Sequence, residues 1–317
     1  ADKLYINALC KAGGKEAEAR IKSSHTNFVF MRKDAEELLN VASCAAKASQ
    51  AADDIRLTLG KVYEFSHTAK LDDIRFILDA KKLNEAASEA GLRENYGHQL
   101  GKTLCSPLGH GIMGDSIFSR ILSATSCACD ARMAGAMVPV MSNSGSGNQG
   151  ITCALPVMEY AEYLRCDHER LVRAVMLSDL IAVHIKSYIG ALSAFCGAIC
   201  AACGAGAAIT WLCGGTREQI GATVSNTLGN VGGIVCDGAK ASCAAKISAA
   251  VDAAILGHDM AMQGRGFRAG EGLIQDTVEQ TIASMGYGLP AAIGTCIGGG
   301  RRQTICLEGD GSIMMNL

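Results

Sequence analysis

Fifteen cysteines in 317 residues make thiol chemistry the first question. The number is odd and the density falls below that of disulfide scaffolds. The first stretch, ADKLYINALC, lacks the basic start and apolar core of a secretory signal. These features predict reduced thiols in a cytoplasmic protein, with ten or more of the cysteines acting as small buried hydrophobes. A subset is spaced for more. AFCGAICAACG places Cys196, Cys200 and Cys203 at i, i+4 and i+7, on one helix face, and IVCDGAKASC follows with Cys236 and Cys243. Structural zinc favours paired CxxC elements, and this region has one, Cys200 with Cys203, so zinc is not expected. Thiolates also hold iron–sulfur clusters, and a cluster that serves as a Lewis acid leaves one iron without a protein ligand, so three cysteines suffice.

The second chemical stretch is SNSGSGNQG at residues 142–150. Ser142, Asn143, Ser144, Gly145, Ser146 and Asn148 expose hydroxyls, amides and backbone N–H groups. Leading into a helix N-terminus, such a loop forms a site for a carboxylate or phosphate, because the orphan donors and the helix dipole both favour negative charge. It matches neither the P-loop nor the dinucleotide fingerprint, and a surface turn is the plainer reading. Just upstream, CDARMAGAM sets Asp130 and Arg132 in small, apolar surroundings. Arg132 is a candidate carboxylate clamp, and an internal Asp130–Arg132 salt bridge is the alternative.

The elements that position these residues are mostly helical. Residues 1–31 hold an alternating LYINAL, a GGKEAEAR turn and SSHTNFVF, a small strand-containing piece. From Arg32 to about Ala52 the pattern turns helical (AEELLNVASCAAKA), and residues 72–92 predict one amphipathic helix closed by Gly91. The longest uncharged run lies between Lys186 and Arg217; its length suits a bilayer, but its Ala, Gly, Ser and Cys content and bare flanks predict a buried central helix and no membrane. Hydrophobic residues make up 49% and charged residues 19%, so the chain folds, and with 5% aromatics and 37 glycines its core is built from Ala, Gly, Ile, Leu and Val. A net charge of −2 with no basic stretch argues against nucleic acid and for a small molecule or protein partner.

The stretches IRFILDAKKLN, CDARMAGAM, VMSNSGSGNQGI, LSAFCGA and GGIVCDGAKASCAAKI resemble the L-cysteine desulfidase family, relatives of the alpha subunit of iron–sulfur-dependent L-serine dehydratases, over about residues 1–285. The resemblance implies a mainly α fold: a partial N-terminal α/β segment (1–54), a helical serine-dehydratase-alpha-like, cluster-binding catalytic domain (55–285) and a short α/β C-terminal fragment (286–317). It implies a 4Fe–4S cluster with an open iron on Cys196, Cys236 and Cys243, which stand 40 and 7 residues apart. It further implies β-elimination on a small L-amino acid, L-cysteine giving sulfide, pyruvate and ammonia, with L-serine dehydration as the alternative and no pyridoxal phosphate. Arg132 and the 142–148 loop then hold the substrate carboxylate, and Lys240, between two ligands, is the candidate base, a solvated or ion-paired lysine being the plainer reading. His25 in SSHTNF matches a family motif and would touch substrate or carry a proton, or else cap a turn.

Two departures stand beside it. Family members carry an early Gly-Cys-Thr-Glu-Pro motif that nothing here matches, so a catalytically incomplete cluster-binding fragment is a further alternative; the partners expected are a homo-oligomer or the missing N-terminal segment in trans. The tail from Gly286, with GDG at Asp310, resembles a fragment of a thiamine-diphosphate enzyme without its distal Asn, so thiamine diphosphate is not expected.

Overall fold

The computed structural model describes residues 5–22, 27–41, 56–190, 193 and 195–285. Backbone proximity divides the chain into two units, Ala1–Arg56 and Leu57–Leu317.

The first unit is an antiparallel sheet in the order β1 (Tyr5–Ala12), β2 (Lys15–Lys22), β3 (Phe28–Lys33), β4 (Glu36–Asn40). Gly13 and Gly14, at φ 57° and 76°, make the two-residue turn whose twist suits a hairpin. Asp34, at φ 54°, turns β3 into β4, and its carboxylate accepts from the Glu16 amide at 2.7 Å. The helix expected from Arg32 onward is therefore overturned over EELLN, which pairs with β3. Glu and Leu favour helix locally, but the neighbouring strand fills this segment's backbone groups, and pairing outweighs propensity. Residues 42–55 lie outside the described residues.

The second unit is helical: α1 (Leu59–Thr68), α2 (Leu71–Ile74), α3 (Asp79–Arg93), α4 (Leu100–Leu104), α5 (Pro107–Met113), α6 (Ile117–Met133), α7 (Gly147–Tyr163), α8 (His168–Ile189), α9 (Gly197–Leu212), α10 (Arg217–Val231), α11 (Cys243–Met262) and α12 (Val278–Ser284). The uncharged run is not one helix. It breaks at Gly190, φ 78°, which caps α8, and resumes as α9. Every residue of α9 except Gly197 and Trp211 is buried, and α7, α8, α10 and α11 all pack on it. Among the described residues no helix is long and apolar enough to cross a membrane. Small residues let these backbones approach: a Cβ at Gly204 would collide with the Ser178 carbonyl of α8.

The helix expected over 72–92 also divides. A 3₁₀ turn (Arg75–Leu78) separates α2 from α3, and α3 runs past Gly91 to Arg93. Gly91 is not the cap; it is buried against the Cys127 carbonyl of α6, where a side chain would not fit.

Candidate functional site

The cysteine corner begins at Cys196, the N-cap of α9. Its amide donates to the Ile234 carbonyl at 2.9 Å, and Phe195 pairs antiparallel with Val235. This short bridge lays the Cys196 segment beside the Cys236 segment. The chain then turns into α11, whose first residue is Cys243, with its Sγ donating to the Gly238 carbonyl at 3.8 Å. Asp237 braces the turn. Its carboxylate takes Lys240 at 2.6 Å and also Lys246, while Lys246 donates to the Val235 carbonyl at 3.0 Å. The two ammonium groups hold Asp237 well below the usual carboxylate range, Lys240 first.

Burial pushes the Cys196 thiol up; the Ala198 amide pulls against it, and charge on Cys236 and Cys243 pushes it further. Cys196 thus senses both Cys236 and Cys243. None of the three is in a disulfide, and two stand at the N-termini of helices of 16 and 20 residues, where the dipole favours anions. That donor set fits an iron–sulfur core. Among the described residues no three His, Cys, Asp or Glu side chains converge closely enough for a single metal ion. A cluster spreads its ligands over several irons, so its thiolates stand further apart.

The second corner is the 142–149 loop. Asn143 and Ser146 exchange backbone hydrogen bonds at 3.1 and 3.0 Å around Ser144 (φ 50°) and Gly145 (φ 79°), a tight turn. Ser146 then caps α7, its hydroxyl accepting from the Gln149 amide at 3.4 Å. Arg132, from the end of α6, lies against Gly147 and donates to Asn148 Oδ1 at 2.9 Å. The alternative Asp130–Arg132 bridge does not form: Asp130 is buried and accepts from the Gly101 amide at 3.1 Å. Asn143 donates to the Asp179 carboxylate on α8 at 2.9 Å, fixing the turn from below.

Two contacts join the corners. Gln149 lies against the first residue of α9: a Cβ on Gly197 would sit 2.6 Å from its Cδ. Gln149 Oε1 is buried with no hydrogen-bond partner among the described residues. Cys129 on α6 donates to Asn148 Oδ1 at 3.6 Å, and its buried thiol is pushed up by burial and then by the charges of Cys243, Asp130 and Cys196, against Arg132.

Sequence reasoning missed Lys186. It sits on α8 two turns beyond Asp179, on the same face, and is 8% exposed. Burial lowers its amine, while charge on Cys200, Cys236 and Cys196 opposes the shift. No carboxylate pairs with it among the described residues. The available signal was a lysine closing an otherwise uncharged run. Lys240, by contrast, is half exposed and tied to Asp237. His25 and the tail from residue 286, with Asp310, lie outside the described residues. Cys200 and Cys203 are core residues, and burial pushes Cys200 up to about 12. Five of the twelve described cysteines are buried, fewer than the ten or more expected, because several gather at helix ends. A cleft of about 550 Å³ lined by Arg217, Asn226, Phe267 and Glu279 shares no residue with either corner.

Asp179 gives a pH signature. Burial pushes its carboxyl up to about 6, against hydrogen bonds from Asn143 and Cys153. The folded chain therefore holds this proton more tightly than the unfolded chain. The resulting stability is full below about pH 4 and is lost as pH rises through about 6. Asp179→Asn is expected to remove that slope, raising stability relative to the parent by about 1–3 kcal/mol more at pH 7.5 than at pH 4. Urea unfolding at the two pH values checks it, and equal differences would show that the carboxyl does not titrate in this range.

A family model described as serine dehydratase alpha chain matches residues 15–296. A UPF0597 protein of Bacteroides fragilis is 49% identical over 284 residues, covering 90% of this chain and 66% of the relative. One from Bacteroides thetaiotaomicron gives the same figures. One from Porphyromonas gingivalis is 43% identical over 289 residues, with 90% and 67% covered. The chain spans about two thirds of the length of these relatives. With its helical architecture and the full reach of that match, the chain belongs to the serine dehydratase alpha chain family.

Proposed function

We propose that this chain carries the cluster-binding and carboxylate-binding part of a lyase that eliminates the β-substituent of a small L-amino acid. L-cysteine, giving pyruvate, ammonia and sulfide, is the preferred substrate, and L-serine is the rival. The observation that carries this reading is the meeting of the two corners: Gln149, from the Ser/Gly/Asn turn, lies on the first residue of the helix that Cys196 caps.

Bound by Cys196, Cys236 and Cys243, a 4Fe–4S cluster would supply an open iron as Lewis acid toward the leaving sulfur or oxygen. The chain's own groups do the rest. Arg132 turns from Asn148 to take the substrate carboxylate, together with the amides at the start of α7 and the hydroxyls of Ser142, Ser144 and Ser146. The unpartnered Gln149 oxygen accepts from the substrate ammonium. Three residues are candidates to remove the α-proton: His25, Lys240, which must leave Asp237 to act, and Lys186, which is buried on the thiol side. This chemistry uses neither pyridoxal phosphate nor thiamine diphosphate, and it suits a reducing, cytoplasmic setting.

Anaerobic reconstitution followed by assays of sulfide release from L-cysteine and ammonia release from L-serine tests the reading. Iron-dependent turnover of either substrate supports it, the larger kcat/KM names the substrate, and no iron-dependent turnover by the chain supplied with the rest of a relative's length overturns it. Arg132→Gln is expected to raise KM by about 10- to 100-fold with a smaller change in kcat, the loss of one charged hydrogen bond. Exchange of the α-proton in D2O separates the bases: among Lys186→Met, Lys240→Met and His25→Gln, the variant lacking the base loses exchange while still binding substrate.

A further inference from the structure

The opposite end of α9 carries a second, separate thiol setting. Cys213, directly after the helix, lies 3.2 Å from the Tyr160 hydroxyl of α7 and 3.8 Å from His258 Nε2 of α11. His258 is 7% exposed, and burial holds its imidazole below the ordinary range, so the ring is neutral near pH 7. Its Nδ1 stands 3.0 Å from Thr210 Oγ1. Thr210 Oγ1 also stands 2.9 Å from the Gly206 carbonyl within the helix, and with its one proton given there it accepts from the ring. In that arrangement the ring proton sits on Nδ1 and the Nε2 lone pair faces the sulfur. Thr223 Oγ1, 2.8 Å from the Thr210 oxygen, holds that oxygen in place. A buried imidazole with its free nitrogen aimed at a half-exposed thiol, beside a phenol able to donate to that sulfur, is the arrangement that activates a cysteine.

We propose that Cys213 is a modification site, a thiol that reacts with hydrogen peroxide or a small hydroperoxide with His258 as its base. In the step Sγ bonds to one peroxide oxygen as the O–O bond breaks. Nε2 takes the thiol proton and hands it to the departing oxygen. Cys–SH and H2O2 become Cys–SOH and H2O; the sulfur loses two electrons and the peroxide gains them. Helix α9, 16 residues long, sets this site about 24 Å from the Cys196 end, so the chemistry is independent of the cysteine corner.

The test uses the full chain, prepared anaerobically and given hydrogen peroxide with dimedone as sulfenic-acid trap, with each cysteine followed by peptide mass spectrometry. Cys105, also partly exposed but bonded through sulfur, among the described residues, only to the Lys102 carbonyl, is the internal control. Cys213 is expected to be trapped at least about tenfold faster than Cys105, and His258→Gln is expected to slow Cys213 by about tenfold while leaving Cys105 unchanged. Equal rates at the two cysteines overturn the proposal, as does a rate at Cys213 that His258→Gln leaves unchanged in a variant that melts like the parent. Should that variant unfold, Thr210→Val, which removes the acceptor that fixes the tautomer, must slow Cys213, and no slowing overturns it.

Discussion

Cys243→Ser, and equally Cys196→Ser and Cys236→Ser, is expected to cut iron and acid-labile sulfide after anaerobic reconstitution from about four of each per chain to below about one. A serine hydroxyl does not ionise near neutral pH and is a poor ligand for iron, so one change removes a third of the donor set. Elimination activity is expected to fall by about a thousandfold or more, because the Lewis acid is lost outright. Cys200→Ser is the control that separates ligation from packing. Cys200 lies one helical turn beyond Cys196, fully buried in the main core cluster. Its replacement buries a hydroxyl and is expected to cost about 1–3 kcal/mol of stability while iron uptake stays intact. Iron retained by all three single variants would sink the ligand assignment, and iron lost equally in Cys200→Ser would show that the effect is one of folding.

The second large effect falls on the central helix. A Cβ at Gly204 would meet the Ser178 carbonyl and, at 3.1 Å, the Ser178 hydroxyl. Backbone cannot move aside as a side chain does, so α8 and α9 must separate. Gly204→Ala is expected to destabilise the chain by about 3 kcal/mol, at the upper end for overpacking. Gly111 provides the contrast, because a Cβ there meets nothing within 4 Å. Gly111→Ala on α5 is expected to stabilise by about 0.5–1 kcal/mol through helix propensity alone. Urea unfolding of both variants checks the pair, and similar midpoints would refute the close crossing of α8 and α9. Since Cys196 is the N-cap of α9, Gly204→Ala should also weaken iron uptake, though less than a ligand change does.

Much of this was legible in the chain itself. The cysteines, the Ser/Gly/Asn loop and Arg132 announce themselves because their residue types are unusual for their surroundings and lie in compact motifs. The helical class was legible from apolar runs of helix length and from the family resemblance. What was not legible depends on contacts distant in sequence. EELLN reads as helix until β3 occupies its backbone. Gly91 reads as a helix end until the Cys127 carbonyl is seen against it. Gln149 was one letter of a polar loop, and its significance lies in touching Gly197, 48 residues away. Lys186 looked like the border of an apolar run because nothing local says that a buried face of α8 turns toward thiols.

The pairing of Phe195 with Val235 fixes an order of events. Between those two residues lie the whole of α9 and α10, so the Cys196 and Cys236 segments become neighbours only once that helical excursion has folded back on itself. On the proposed ligand set, complete ligation by all three cysteines requires docking of the excursion, after Cys243 has left the ribosome. The same closure ties loss to gain. An opening that undoes the 195–235 pairing separates Cys196 from Cys236 and Cys243 together, so iron release should report unfolding of this excursion as a single cooperative event instead of gradual leaching from one ligand at a time.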